Sequence, residues 1–67
     1  MSTQFEFYRT RAAEAHADAD AAVLDNVRDR CLRAAAAWEA MAARAQRGDD
    51  FRARQEAEKA AAVLAQI

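Results

Sequence analysis

No proline interrupts this chain, and its only glycine is Gly48. Proline and glycine are the residues that most often punctuate regular structure. A chain of 67 residues with one such punctuator has few ways to fold other than as long helices. Alanine supplies the rest of the argument, with runs at Ala34 to Ala37 and Ala60 to Ala62. It has the highest helix propensity, and leucine, arginine, glutamate and glutamine follow closely. The predicted class is all-α.

One apolar seam can be followed through Phe5, Tyr8, Ala12, Ala15, Ala19, Val23, Val27, Cys31, Ala34, Trp38, Met41 and Ala45. Its steps of three and four average about 3.6 residues, the period of an α-helix. Thr3 and Glu6 have the spacing of a capping box at its start. The second half of the seam keeps strict heptad spacing, whereas a run of fours joins it to the first half. Asp25-Asn26 is the one place where this helix could break, since both side chains compete for backbone hydrogen bonds. Without a glycine or proline there, the spacing favours one helix over about 4–46, with a turn near Asp25 as the alternative.

Arg47-Gly48-Asp49-Asp50 is then the predicted turn (47–50). Glycine suits the residue after a helix, and aspartate can cap the next one. A second helix over about 51–66 carries Ala53, Ala57, Ala60, Leu64 and Ile67 on one face. The short connection implies an antiparallel hairpin of a long helix and a shorter one. Its predicted core is Cys31, Ala34, Trp38, Met41, Ala57, Ala60 and Leu64, with large residues meeting small ones.

That hairpin leaves Phe5, Tyr8, Ala12, Ala15, Ala19, Val23 and Val27 uncovered, with Phe51 nearby. Isolated helices are marginal in water, and a domain this small is marginal alone. These residues are therefore the expected contact surface. The favoured partner is a second copy, its long helix crossing the first near Val27 in a four-helix-bundle dimer. A larger protein partner is the other option.

Charge and composition narrow the function. Ten basic and 11 acidic residues give a net charge of −1, which argues against bulk attraction to nucleic acid. Arg28, Arg30, Arg33, Arg44, Arg47, Arg52 and Arg54 are nevertheless the candidate nucleic-acid contacts, because arginine suits phosphate. Interleaved acids such as Asp29 before Arg33, Asp50 before Arg54 and Glu58 after Arg54 point instead to intrahelical ion pairs. His16 and Asp20 share a helix face, half of a metal site at most or a pH-responsive pair. Cys31, the lone cysteine, is expected as a small buried residue in the seam. Arg47-Gly48-Asp49 spells an integrin-binding tripeptide but sits in the predicted turn. There is no Gly-rich phosphate loop and no catalytic constellation. No enzymatic activity, cofactor, metal site or membrane span is expected, and a cytoplasmic location is. The expected function is a non-enzymatic protein–protein interaction module, self-associating as an adaptor, regulator or structural subunit. The alternative is a nucleic-acid-binding accessory protein.

The segments Tyr8-Arg9-Thr10-Arg11-Ala12-Ala13-Glu14-Ala15 and Leu24-Asp25-Asn26-Val27-Arg28-Asp29-Arg30-Cys31-Leu32-Arg33, followed by Trp38, Met41 and Arg44, carry a resemblance. They resemble small uncharacterised Ala/Arg-rich helical proteins of high-GC proteobacteria. The resemblance covers about two-thirds of the chain and implies a bacterial cytosolic protein, without an activity, cofactor or site residues.

Overall fold

The chain turns back on itself at Ala22-Val23-Leu24, not at Gly48. The computed structural model describes residues 2–67. It consists of two antiparallel helices, α1 (Thr3–Ala21) and α2 (Asp25–Ala65). The class is all-α and the architecture an αα-hairpin, but the order of lengths is reversed: 19 residues come first and 41 second. A helix of 41 residues is about 60 Å long, and it sets the 65 Å long dimension of the molecule against 14 and 12 Å across.

Local chemistry explains the turn. Ala22 and Leu24 both adopt extended backbone angles, so the reversal needs no residue with positive φ, and none occurs among the described residues. Asp25 lies in the first turn of α2, where a carboxylate complements the positive end of the helix dipole. Arg28 then ties the two helices together. Its guanidinium donates to Asp25 Oδ1 and to the carbonyl of Ala22, each at 3.0 Å. The turn near Asp25, the alternative in the sequence, is the one that forms.

At Gly48 the helix simply continues. One glycine in a helix interior costs only about 1 kcal/mol relative to alanine, and good helix formers precede it at Ala45-Gln46-Arg47 and resume at Arg52-Ala53-Arg54. The predicted 47–50 turn and the separate 51–66 helix are therefore both corrected, because no second breaker reinforces the glycine. The first helix also starts one residue earlier than the Thr3–Glu6 spacing implied. Ser2 is the cap, its Oγ accepting from the Phe5 N–H at 3.2 Å.

Among the described residues every buried one is an alanine: Ala12, Ala15 and Ala19 from α1, and Ala35 and Ala42 from α2. Alanine side chains let two helix backbones approach closely, since contact distance follows side-chain size. Ala12 and Ala19 are one heptad apart, as are Ala35 and Ala42, so this close approach recurs every second turn. Phe5, Tyr8, Val27, Cys31, Ala34, Trp38, Met41 and Ala45 line the same seam half-buried.

Candidate interaction surface

The contacts of α1 define where the hairpin ends. At its amino-terminal end the Ser2 N–H donates to Asp49 Oδ2 at 3.2 Å. Asp49 also pairs with Arg52 one turn on. Hydrogen bonding from Ser2, helped by Arg52 and opposed by partial burial, holds the Asp49 carboxyl below its ordinary value. A carboxylate here also faces the positive end of α1. Midway along, His16 Nε2 and Glu39 Oε1 lie 2.7 Å apart across the helices. The partner of His16 is thus Glu39 rather than Asp20. Among the described residues no group of three or more metal-ligating side chains comes together.

Aromatic packing closes the same end. Phe7 meets Trp38 edge-on at 6.0 Å, and Tyr8 lies 6.0 Å from Trp38. The Arg11 guanidinium sits 5.3 Å from the Trp38 ring centroid, within cation–π range. The surface expected to await a partner is therefore largely satisfied within the chain. Ala12, Ala15 and Ala19 are buried against α2, and Phe5, Tyr8 and Val27 are half-buried. Val23, by contrast, is 90% exposed at the turn. The dimer crossing at Val27 was drawn for one helix continuous over about 4–46, and the chain turns back just before Val27, at Ala22 to Leu24.

Beyond Asp49 no described residue covers α2 enough to bury a side chain. Every residue from 51 to 67 is exposed. Of the predicted hairpin core, Cys31, Ala34, Trp38 and Met41 line the seam opposite α1, whereas Ala57, Ala60 and Leu64 face solvent. They could pack on the 31–41 stretch only if the chain reversed at Gly48. Continuing the seam at heptad spacing leads to Arg52, Glu56 and Lys59 before reaching Val63. The buried face thus turns polar where α1 ends. A different stripe takes over: Ala53, Ala57, Ala60 and Leu64, at steps of four, three and four, with Ile67 three further on. At 100° per residue it lies about 60° around the helix from the seam.

The arginines separate into two groups. Arg28 is engaged at the turn and Arg52 with Asp49. Arg30, Arg33, Arg44, Arg47 and Arg54 form no ion pair among the described residues, and the pairs expected for Arg33 and Arg54 are not made; the arginine pairs that form are all spaced i, i+3. Arg44, Arg47, Phe51 and Arg54 follow one another at steps of three, four and three. Helical geometry puts them on one face, with Arg44 at its edge also lining a groove beside Tyr8 and Met41. Phe51, 58% exposed, belongs to this face and not to the apolar stripe. Periodicity in the sequence was enough to find both stripes, once the helix was known to run through Gly48.

No helix is long and apolar enough to cross a membrane. No protein-family model matches the chain, and no curated protein or solved structure matches it.

Proposed function

We propose that this protein is a non-enzymatic interaction module whose hairpin, residues 2–49, is a rigid base and whose projecting helix, residues 50–65, is the docking surface. The observation that carries this reading is the in-phase apolar stripe Ala53, Ala57, Ala60 and Leu64 on a helix segment that is exposed throughout. Isolated alanine-rich helices are marginal in water, so a partner on this stripe stabilises the segment as well as being bound by it. A small adaptor, regulator or structural subunit of the cytoplasm fits this form. The preferred occupant is a second copy, because the stripe runs from small residues (Ala53, Ala57, Ala60) to large ones (Leu64, Ile67), so an antiparallel copy can bring large residues onto small ones. About ten residues a side is roughly half the 20–30 of a standard interface, so the association is reversible and weak. Sedimentation equilibrium from about 10 µM to 1 mM tests it. A mass that rises with concentration in the wild type, and does not in Leu64→Asp, supports the reading. A wild-type monomer throughout contradicts self-association.

A second reading rests on the arginine face. Arg44, Arg47 and Arg54 share a helix face with the exposed Phe51 and form no ion pair among the described residues, and arginine with an aromatic ring suits phosphate and stacked bases. Gel-mobility shift with labelled single-stranded and duplex oligonucleotides, repeated across salt concentrations, tests it. Binding that falls steeply with salt and is lost in the Arg44→Ala/Arg47→Ala/Arg54→Ala triple variant favours this reading. No shift at low salt removes it.

A further inference from the structure

Folding sorts the charges of α2. Between Asp29 and Glu58 its acidic residues are Glu39, Asp49, Asp50 and Glu56. Glu39 reaches across to His16, and Asp49 holds Ser2 and Arg52. Asp50 accepts from Gln46 Nε2 at 2.9 Å rather than from a neighbouring arginine, and Glu56 lies on the side that continues the seam. Arg33, Arg44, Arg47 and Arg54 are left without ion pairs among the described residues. Phe51 marks the middle of the face they share. It follows buried Ala42 by nine residues, which sets it about 180° round the helix from the seam. Arg33 stands in line with Phe51, and Arg44, Arg47 and Arg54 lie within about 60° of it. A chain of net charge −1 thus presents a cationic face on the side of α2 opposite α1.

The geometry points to a single strand of nucleic acid as the ligand of this face. This rests on the nucleic-acid reading above and specifies the form of the partner. Phosphates alone would occupy the arginines, but they give the exposed Phe51 ring nothing to do. A base can lie on that ring only where it is unpaired, because a duplex keeps its bases stacked inside. A second surface for a base adjoins the first. It is a groove of about 260 Å³ whose lining includes Tyr8, Met41, Gly48, Arg44 and Arg52. Gly48 falls between Arg44 and Phe51, one turn from each, and has no side chain to part the groove from the ring. A strand laid along this face sets one base on Phe51 and another in the groove, and brings its phosphates to Arg44, Arg47 and Arg54. An anionic membrane fits less well. A helix that lies in a lipid surface needs a broad apolar face, and here Phe51 is the one large apolar side chain.

Fluorescence anisotropy tests this with a labelled oligothymidine, the same strand annealed to its oligoadenosine complement, and a labelled oligouridine. At low salt the single strands are expected to bind about tenfold more tightly than the duplex. Phe51→Ala should remove about that tenfold from the single strands and leave the duplex unchanged, and Phe51→Trp should restore it. For three phosphate contacts, log K should fall with log salt at a slope of about −2. The Arg44→Ala/Arg47→Ala/Arg54→Ala variant should flatten that slope. Gly48→Leu fills the groove at a position whose φ is not positive, and should weaken single-strand binding severalfold with circular dichroism unchanged. Equal binding of strand and duplex, unaffected by Phe51→Ala, overturns the single-strand inference and leaves the broader nucleic-acid reading standing. Binding that Phe51→Ala weakens and Gly48→Leu does not contradicts the part given to the groove. No binding of any oligonucleotide at low salt removes both the inference and the reading beneath it, and binding of phosphatidylserine vesicles in their place would assign the face to lipid.

Discussion

The two parts of α2 are made of nearly the same material and live in different surroundings. Asp25 to Asp49 and Asp50 to Ala65 are both rich in alanine and arginine, and both are fully helical. In the first part Ala35 and Ala42 are buried and Trp38 anchors an aromatic cluster; in the second, from Phe51 onward, every side chain is exposed. The difference is α1 alone. An alanine stabilises a helix by its propensity wherever it sits, but it stabilises a fold only where a second backbone comes close enough to use its small size. Stability therefore belongs to residues 2–49, and the outer part of α2 is left to meet something else.

Substitutions matched across the two parts sharpen this contrast. The largest effect is expected at the aromatic cluster. Trp38→Ala removes the ring that Phe7, Tyr8 and Arg11 all contact, and lowers stability by about 2–3 kcal/mol, less than for a fully buried tryptophan. Phe51→Ala, on the open part, changes it by under about 0.5 kcal/mol. Urea denaturation followed by circular dichroism measures both, and equal losses would break the contrast. Crowding of the alanine seam comes next. Ala35 is 0% exposed, so Ala35→Leu forces the helices apart and is expected to cost about 1–2 kcal/mol. Ala60→Leu is neutral in dilute solution.

Gly48 marks the border, and there the expected change has the opposite sign. Its φ is not positive, and an added Cβ would meet only the flexible Arg52 guanidinium, at 3.6 Å. Gly48→Ala should therefore raise stability by about 0.5–1 kcal/mol. A loss on thermal melting would mean that the chain turns there after all. The smallest effect concerns acid. Asp49 has its carboxyl held below the ordinary 3.8. Its contact with Ser2 accordingly stabilises the fold fully above pH 3.8 and is lost as pH falls through the lower folded value. The Ser2 amide resonance should titrate with a midpoint below 3.8 and stop doing so in Asp49→Asn. A midpoint at or above 3.8 contradicts the contact.

Helical class and hairpin form were legible from composition and spacing, and the seam residues Cys31, Ala34, Trp38 and Met41 do line the contact between helices. The position of the turn was misplaced for a physical reason. Gly48 outweighed Asp25-Asn26 because glycine is the stronger local signal, yet a lone glycine costs less than the contacts that α1 makes by folding back at Ala22. The run of fours through Ala15, Ala19, Val23, Val27 and Cys31 held the clue. Each step of four turns a helix by about 40° beyond a full circle, so four in succession carry the seam some 160° round. No single straight partner can follow that. What spacing could not supply was which apolar face each helix would use, because alanine suits several. Whether Phe5, Tyr8 and Trp38 met within one chain or between two depended on the turn and changed with it.

Amide hydrogen exchange as a function of protein concentration tests the central claim most directly. Protection along Ala12 to Ala19 and Ala35 to Ala42 should be strong and independent of concentration, because the hairpin is closed within one chain. Protection from Ala53 to Leu64 should be weak at about 10 µM and grow towards 1 mM as the second copy covers the stripe. Distal protection that stays fixed across this range, or a hairpin seam that gains protection in step with it, would contradict the division of α2 into a closed half and an open one.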